Sequence, residues 1–207
     1  MIVLRLSEDA QDDVFRCIDP SRIFSMRSID QCHRTYGLSD MSGIRTIVRT
    51  ILSLGGLSEH ATLQDMYRFT QTDFVVAVTN LSNECGEYFN HASHPTVPVL
   101  DAVCASSAIP YVFQPVHIGG VVYVDGCLTL SHPDPFREGR TAHLMLQTQK
   151  NGSTESIFSF TSKIVSCITR RDPAIVSKSN GACLQITLHD TSTFELTPDP
   201  WAGRREG

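Results

Sequence analysis

Between Asp101 and Cys127 the chain changes character three times, and that order narrows what it can fold into. First comes a small-residue helix over residues 97–109, with Val99, Leu100, Ala102, Val103, Ala105 and Ala108 as its apolar members. Its Ala and Ser side chains let it lie very close to a neighbouring strand. Ile109-Pro110 ends it, because a residue before proline is pushed out of the helical region. Two β-rich runs follow, Tyr111 to Ile118 and Val121 to Val124, joined by Gly119-Gly120, a two-residue hairpin signal. Asp125 then closes an apolar strand, and Gly126 permits a sharp turn that presents its carboxylate at the strand's C-terminal edge, where α/β sheets keep their sites.

The alternation continues along the chain. Ser7 can cap a short helix through Val14, Phe15 and Ile18, stopped by Pro20. After Gly37-Leu38-Ser39-Asp40, the residues Met41, Ile44, Ile47/Val48 and Ile51/Leu52 recur at helical spacing, with Arg45 and Arg49 opposite and Gly55-Gly56 as the stop. Thr62-Leu63-Gln64-Asp65 resembles a capping box and opens a helix through Phe69. Asp73 to Asn80 is a nearly continuous β-branched run, as expected of a strand buried on both faces, and Glu87-Tyr88-Phe89 supplies a short partner. Strands are expected at Ala142–Gln147 and Cys183–Leu188, and an amphipathic helix over 155–169. Strands alternating with helices define an α/β layer architecture.

Composition closes off other classes. The 207 residues suffice for one domain. With 41% hydrophobic and 19% charged residues, against a usual charged share of about 25%, the chain is no disordered tail, collagenous fibre or coiled coil. Its longest apolar run is Phe74 to Val78, far from the ~20 residues a bilayer requires. Net charge is −5 and no basic stripe exists, so nucleic acid is not an expected partner. Seven widely spaced cysteines without Cys-x-x-Cys fit a reducing compartment. Absent signals thus point to a cytoplasmic protein.

Asp125 is the strongest candidate for chemistry, since desolvation at an apolar strand end raises a carboxyl group toward the range of a useful base. Alone, Asp-Gly is a common turn dipeptide. The ordinary role of Ser106 and Ser107 is close packing and back-bonding to helix carbonyls. Cys104 and Cys127 read as buried thiols, and an adjacent Asp125 makes Cys127 a poor thiolate. His91-x-x-His94 with Cys85 upstream has metal-like spacing, but Pro95 follows and a third ligand is wanting, so a loop of solvated histidines is expected. His117 and His132 read as structural. No metal or cofactor is expected.

Ala102, Ala105-Ser106-Ser107-Ala108, Pro110, Phe113, Pro115-Val116 and Tyr123-Val124-Asp125-Gly126 together resemble the patatin-like phospholipase family. The likeness is specific over 101–126. It extends more weakly upstream through Gly37–Asp40, Thr62–Phe69 and Phe74–Asn80, and downstream through Leu184–Leu196. It implies a three-layer α/β fold with a mixed, mostly parallel central sheet, filling residues 1–196 and leaving 197–207 as a disordered tail. It also implies hydrolysis of phospholipid or acylglycerol esters by a Ser–Asp dyad, in which a Ser on a Gly-x-Ser-x-Gly elbow attacks and an Asp acts directly as its base. Asp125 matches that base and Gly126 its Asp-Gly turn. Cys127 stands where the family has Gly or Ala, and Ser131-His132-Pro133 where it commonly shows Asn-x-Pro.

The nucleophile has no counterpart. Gly-x-Ser-x-Gly does not occur, and Gly37-Leu38-Ser39-Asp40-Met41 fails at its last position. The apolar opening Met1 to Leu6, followed by the acidic Ser7 to Asp13, reads as a buried helix entered partway along, without the basic start of a signal peptide. The expectation is a domain whose first part is missing, with Phe74–Val78 or its neighbours left as an unpaired sheet edge. Such a chain would not hydrolyse esters by itself. It would be a truncated gene model, a degenerate copy, or a non-catalytic lipid- or partner-binding module.

Overall fold

A computed structural model describes residues 29–130, 142–148 and 182–188, with Leu6, Ser7, Asp9, Ala10, Asp12, Val14 and Ile164 besides. The chain divides into two compact units, Met1–Pro133 and Asp134–Gly207.

In the first unit, α1 (Ile29–Thr35) leads into β1 (Gly37–Ser39) and α2 (Ser42–Leu54). Met41, Val48 and Leu52 bury the apolar stripe read from the sequence, and Gly55 and Gly56 end the helix, Gly56 with φ of 80°. The capping box forms as expected. Thr62 Oγ1 accepts from the Asp65 N–H at 3.1 Å, Asp65 Oδ2 accepts from the Thr62 N–H at 3.0 Å, and α3 runs Leu63–Thr70.

Next come β2 (Val76–Asn80), β3 (Cys85–Phe89), α4 (Val99–Ser106), β4 (Tyr111–Phe113), β5 (Val116–Ile118) and β6 (Val121–Asp125), and then a 3₁₀ turn at Gly126–Leu128. Four of these strands form a sheet in the order β3-β2-β6-β5. Gly119 and Gly120, with φ of 59° and 83°, close the β5–β6 hairpin, the two positive values that a twisted two-residue turn demands. Helix α4 lies on β2 and β6 and also meets α2, where Arg45 and Asp101 pair at 2.9 Å. Its Ala102, Cys104 and Ala105 are fully buried. Small side chains allow that close approach. At the end of β3 the buried Phe89 ring stands edge-on to Tyr123, centroids 5.0 Å apart, and tilts against His94 at 4.0 Å.

The mixed α/β class is as expected, but the balance of strand directions is not. Parallel pairing among the described residues occurs in two pairs, β1 with β4 and, in the second unit, β7 (Ala142–Thr148) with β8 (Ala182–Leu188). The four-stranded sheet is antiparallel at every junction. Short turns decide two of the three junctions, since Leu81–Glu84 between β2 and β3 and Gly119-Gly120 between β5 and β6 are too brief for a parallel crossover. Nor is Phe74–Val78 an edge, because β2 has β3 on one side and β6 on the other.

The expected strand over Tyr111–Ile118 divides at Gln114-Pro115. Its first half pairs with β1 and its second with β6, and the break falls at a residue that has no N–H to give. Strand β1 carries too few residues to show a period, and its sequence gave no strand signal. Of the N-terminal helix, the Ser7 cap is in place, its Oγ accepting from the Ala10 N–H at 3.3 Å. The helix expected over 155–169, apart from Ile164, the tail over 197–207 and Ser131-His132-Pro133 fall outside the described residues.

Candidate active site

Asp125 is the last residue of β6, opposite Val78 in the register with β2. Its backbone is held on two sides. The Asp125 N–H donates to Ala108 O at 3.0 Å, and Thr79 Oγ1 donates to Asp125 O at 2.9 Å while meeting Thr129 Oγ1 at 2.8 Å. The carboxylate caps the 3₁₀ turn, Oδ1 accepting from the Cys127 N–H at 2.8 Å. Burial pushes this carboxyl group above its ordinary range, against the smaller pull of the Cys127 amide and thiol in the other direction.

That balance has a sign that can be measured. Folding favours the neutral acid, so the contribution of Asp125 to stability is greatest in acid, below the unfolded value. It falls as pH rises through the raised folded value, leaving a penalty at pH 7. Asp125→Asn keeps an acceptor for the Cys127 amide and removes the charge. It is expected to melt above the wild type at pH 7, with the gap closing in acid below the ordinary carboxylate range. Thermal melts across pH check this, and a lower melting temperature for the variant at pH 7 would contradict it.

Gly126 is required for a reason the turn signal did not contain. Its φ is not positive. It is glycine because a Cβ there would lie 2.5 Å from the Ala77 carbonyl oxygen of β2. The 3₁₀ turn thus rests on the sheet backbone, and Asp125 is fixed between two points of contact.

Both thiols beside this strand are held in the protonated form. Cys127 is pushed up to about 12 by burial, by the Asp125 charge and by its hydrogen bond to that carboxylate. Burial pushes Cys104 up to about 11. Both remain protonated near neutrality.

The serines fare no better. Ser39 lies between strand and helix, where an elbow nucleophile would stand, but it is fully buried and its Oγ donates to Asp40 O at 3.2 Å. The backbone from Ser39 to Met41 lacks the strained positive φ of an elbow. Ser106 and Ser107 close α4 half-buried. The hydroxyl bonds to helix carbonyls expected of them do not form among the described residues.

His91 and His94 turn to separate partners. His91 Nδ1 meets Asp73 Oδ1 at 2.9 Å and its ring stacks on Tyr67 at 3.6 Å. His94 Nδ1 meets Ser93 Oγ at 2.9 Å. These contacts replace the solvated loop expected there. No group of three or more His, Cys, Asp or Glu capable of holding a metal occurs among the described residues, and none of their helices is long and apolar enough to cross a membrane.

Sequence reasoning passed over Thr79, which holds the Asp125 carbonyl, and Gln114, which follows β4. The consecutive carbonyls of Ala108 and Ile109 tie the end of β6 to β4. Ala108 O takes the Asp125 N–H, and Ile109 O takes the N–H groups of Val112 and Phe113 at 3.1 and 2.9 Å. The Gln114 N–H continues the β1–β4 ladder to Ser39 O at 3.0 Å. Its side-chain Nε2 is buried without a hydrogen-bond partner. An uncharged amide between Phe113 and Pro115, in otherwise apolar strands, was the signal that could have found it.

A family model described as patatin-like phospholipase matches residues 5–135. No curated protein matches the chain. Among solved structures, VipD from Legionella pneumophila aligns with a TM-score of 0.45 and 15% sequence identity, over 93% of this chain and 41% of that one. The chain therefore spans less than half the length of that structure.

Proposed function

The chain belongs to the patatin-like phospholipase family, and from that premise we propose that it carries the base half of a Ser–Asp lipid acyl hydrolase site, acting on phospholipid or acylglycerol esters. The observation that carries the reading is the Asp125 carboxylate, desolvated at the end of β6 with one oxygen held by the Cys127 amide. In such a site Asp125 accepts the serine hydroxyl proton as the serine oxygen bonds to the ester carbonyl carbon. The proton then passes to the departing alcohol, leaving an acyl-enzyme for water to cleave. Gly126 keeps the turn that aims the carboxylate. The family domain in this reading covers residues 1–196, and its place of work is inside the cell with transient contact at membrane surfaces.

The 207 residues hold no Gly-x-Ser-x-Gly, and a base without its nucleophile forms no acyl-enzyme. By themselves they are expected to turn over no ester. Joined behind a family segment that supplies the elbow, they should hydrolyse an acylglycerol, with Asp125→Asn lowering kcat on the order of 10²–10⁴-fold. Hydrolysis by such a fusion that survives Asp125→Asn would remove Asp125 from the mechanism. The missing motif also supports a second reading, a non-catalytic lipid- or partner-binding module. Under it, liposome binding by the chain alone is unchanged by Asp125→Asn.

A further inference from the structure

Two tyrosines stand largely in solvent on a backbone conformation that tyrosine avoids. Tyr36 has φ of 57° and Tyr111 φ of 66°, and their exposures are 70% and 63%. A bulky residue at positive φ is strained, and such strain persists where it serves a purpose. Among the described residues, the other non-glycine positions of this kind are polar, Gln71 at the end of α3 and Glu84 in the β2–β3 turn. Tyr36 takes the place after α1 that normally falls to Gly or Asn, its N–H donating to Cys32 O at 2.8 Å. Neither ring is buried in return, so folding alone gives no reason for an aromatic at either position.

The two belong to one surface. Gly37, which follows Tyr36, pairs with Tyr111 in the parallel β1–β4 register, so both tyrosines mark the same end of that strand pair. Arg34 is exposed two residues before Tyr36, in the last turn of α1. On the other side Ile109 and Pro110, half-exposed, precede Tyr111. The same segment reaches the site, since Tyr111 comes three residues after Ala108, whose carbonyl holds the Asp125 N–H.

Resting on the acyl-ester reading above, we propose that Tyr36 and Tyr111 seat this end of the β1–β4 pair in the headgroup layer of a phospholipid surface, with Arg34 on a lipid phosphate. A phenol has an apolar body and a polar tip, which suits a layer that is oily on one side and wet on the other. A guanidinium matches a phosphate with two parallel hydrogen bonds. The net charge of −5 gives no long-range pull toward anionic lipid. The contact is therefore local, made by two rings and one phosphate pair.

Sedimentation of the 207-residue chain with phosphatidylcholine vesicles tests this. Asn tolerates the left-handed region, so Tyr36→Asn and Tyr111→Asn should hold or raise the melting temperature while removing a ring. Losing about 60 Å² of buried ring should weaken partitioning roughly tenfold for each variant. Phe69→Asn, at another exposed aromatic (57%), should leave partitioning unchanged. Undiminished binding by the double tyrosine variant, or an equal loss in Phe69→Asn, overturns the assignment. So does a melting temperature lowered by several degrees, which would give the rings to the fold. A double variant that separates self-associated copies but keeps its vesicles overturns it in favour of a second chain as partner. A wild type that binds no vesicles overturns it as well. The acyl-ester reading is decided apart from these, by whether the elbow-bearing fusion hydrolyses a short-chain ester dissolved as monomers in an Asp125-dependent way.

Discussion

Gly126→Ala is expected to cost the protein about 3 kcal/mol, at the upper end of what overpacking a well-filled site usually costs. The added Cβ would meet Ala77 O at 2.5 Å, Ala77 C at 2.6 Å and Ala77 Cβ at 3.0 Å. Two of those atoms are backbone of β2, which is bonded to β3 on one side and β6 on the other and has no room to yield. Alanine would restrict the unfolded chain and recover roughly 0.4–1 kcal/mol, too little to offset the collision. The strain should appear first where the 3₁₀ turn leaves β6, shifting the Asp125 carboxylate off the Cys127 amide. Gly119→Ala is the matching control. Nothing lies within 4 Å of a Cβ there, and its φ of 59° makes backbone strain the sole cost, about 1–2 kcal/mol. Urea denaturation of both variants decides the point. A Gly126→Ala loss no larger than that of Gly119→Ala would mean that β2 gives way.

The second large effect is at Phe89, for which alanine is expected to cost about 3–5 kcal/mol. Phe89 has 0% exposure and packs between the rings of Tyr123 and His94. It pairs with Val76 in the β2–β3 register, so its loss leaves a cavity that three anchored elements cannot close. Against a typical net stability of about 5–15 kcal/mol, that is enough to unfold a large share of the molecules at physiological temperature. The readout is the urea midpoint with the denaturant slope unchanged. A shift worth under about 1 kcal/mol would show that the site collapses around the missing ring.

Much of the first unit was legible because its signals are local. The Thr62–Asp65 box, the stripe of α2 and the Gly119-Gly120 turn each depend on residues within a few positions of one another. Strand direction is not local. The β-branched run of β2 announces burial on two faces, and α4 and the 3₁₀ turn provide it whichever way the neighbouring strands run. Nothing in Val76–Asn80 itself encodes that both neighbours are antiparallel. Strand β1 escaped notice because three residues cannot display a two-residue period, and because what holds it is a parallel partner seventy-odd positions away.

At the site, the sequence named Asp125 and Gly126 but misread why Gly126 is small. A turn dipeptide suggests conformational freedom, whereas the requirement here is clearance from Ala77 O, a residue nearly fifty positions upstream. Cys127 went the other way. Its neighbour Asp125 was enough to foresee a thiol held protonated, since like-signed charges repel at any local geometry.

The peptide joining Ala108 to Ile109 works as a gauge block. The Ala108 carbonyl holds the Asp125 N–H at the end of β6 and the Ile109 carbonyl holds the N–H groups of Val112 and Phe113 in β4, so the offset between the two strands is carried through a single residue of backbone. Substitutions that loosen the surrounding core would then wear away stability well before they moved the end of β6 relative to β4.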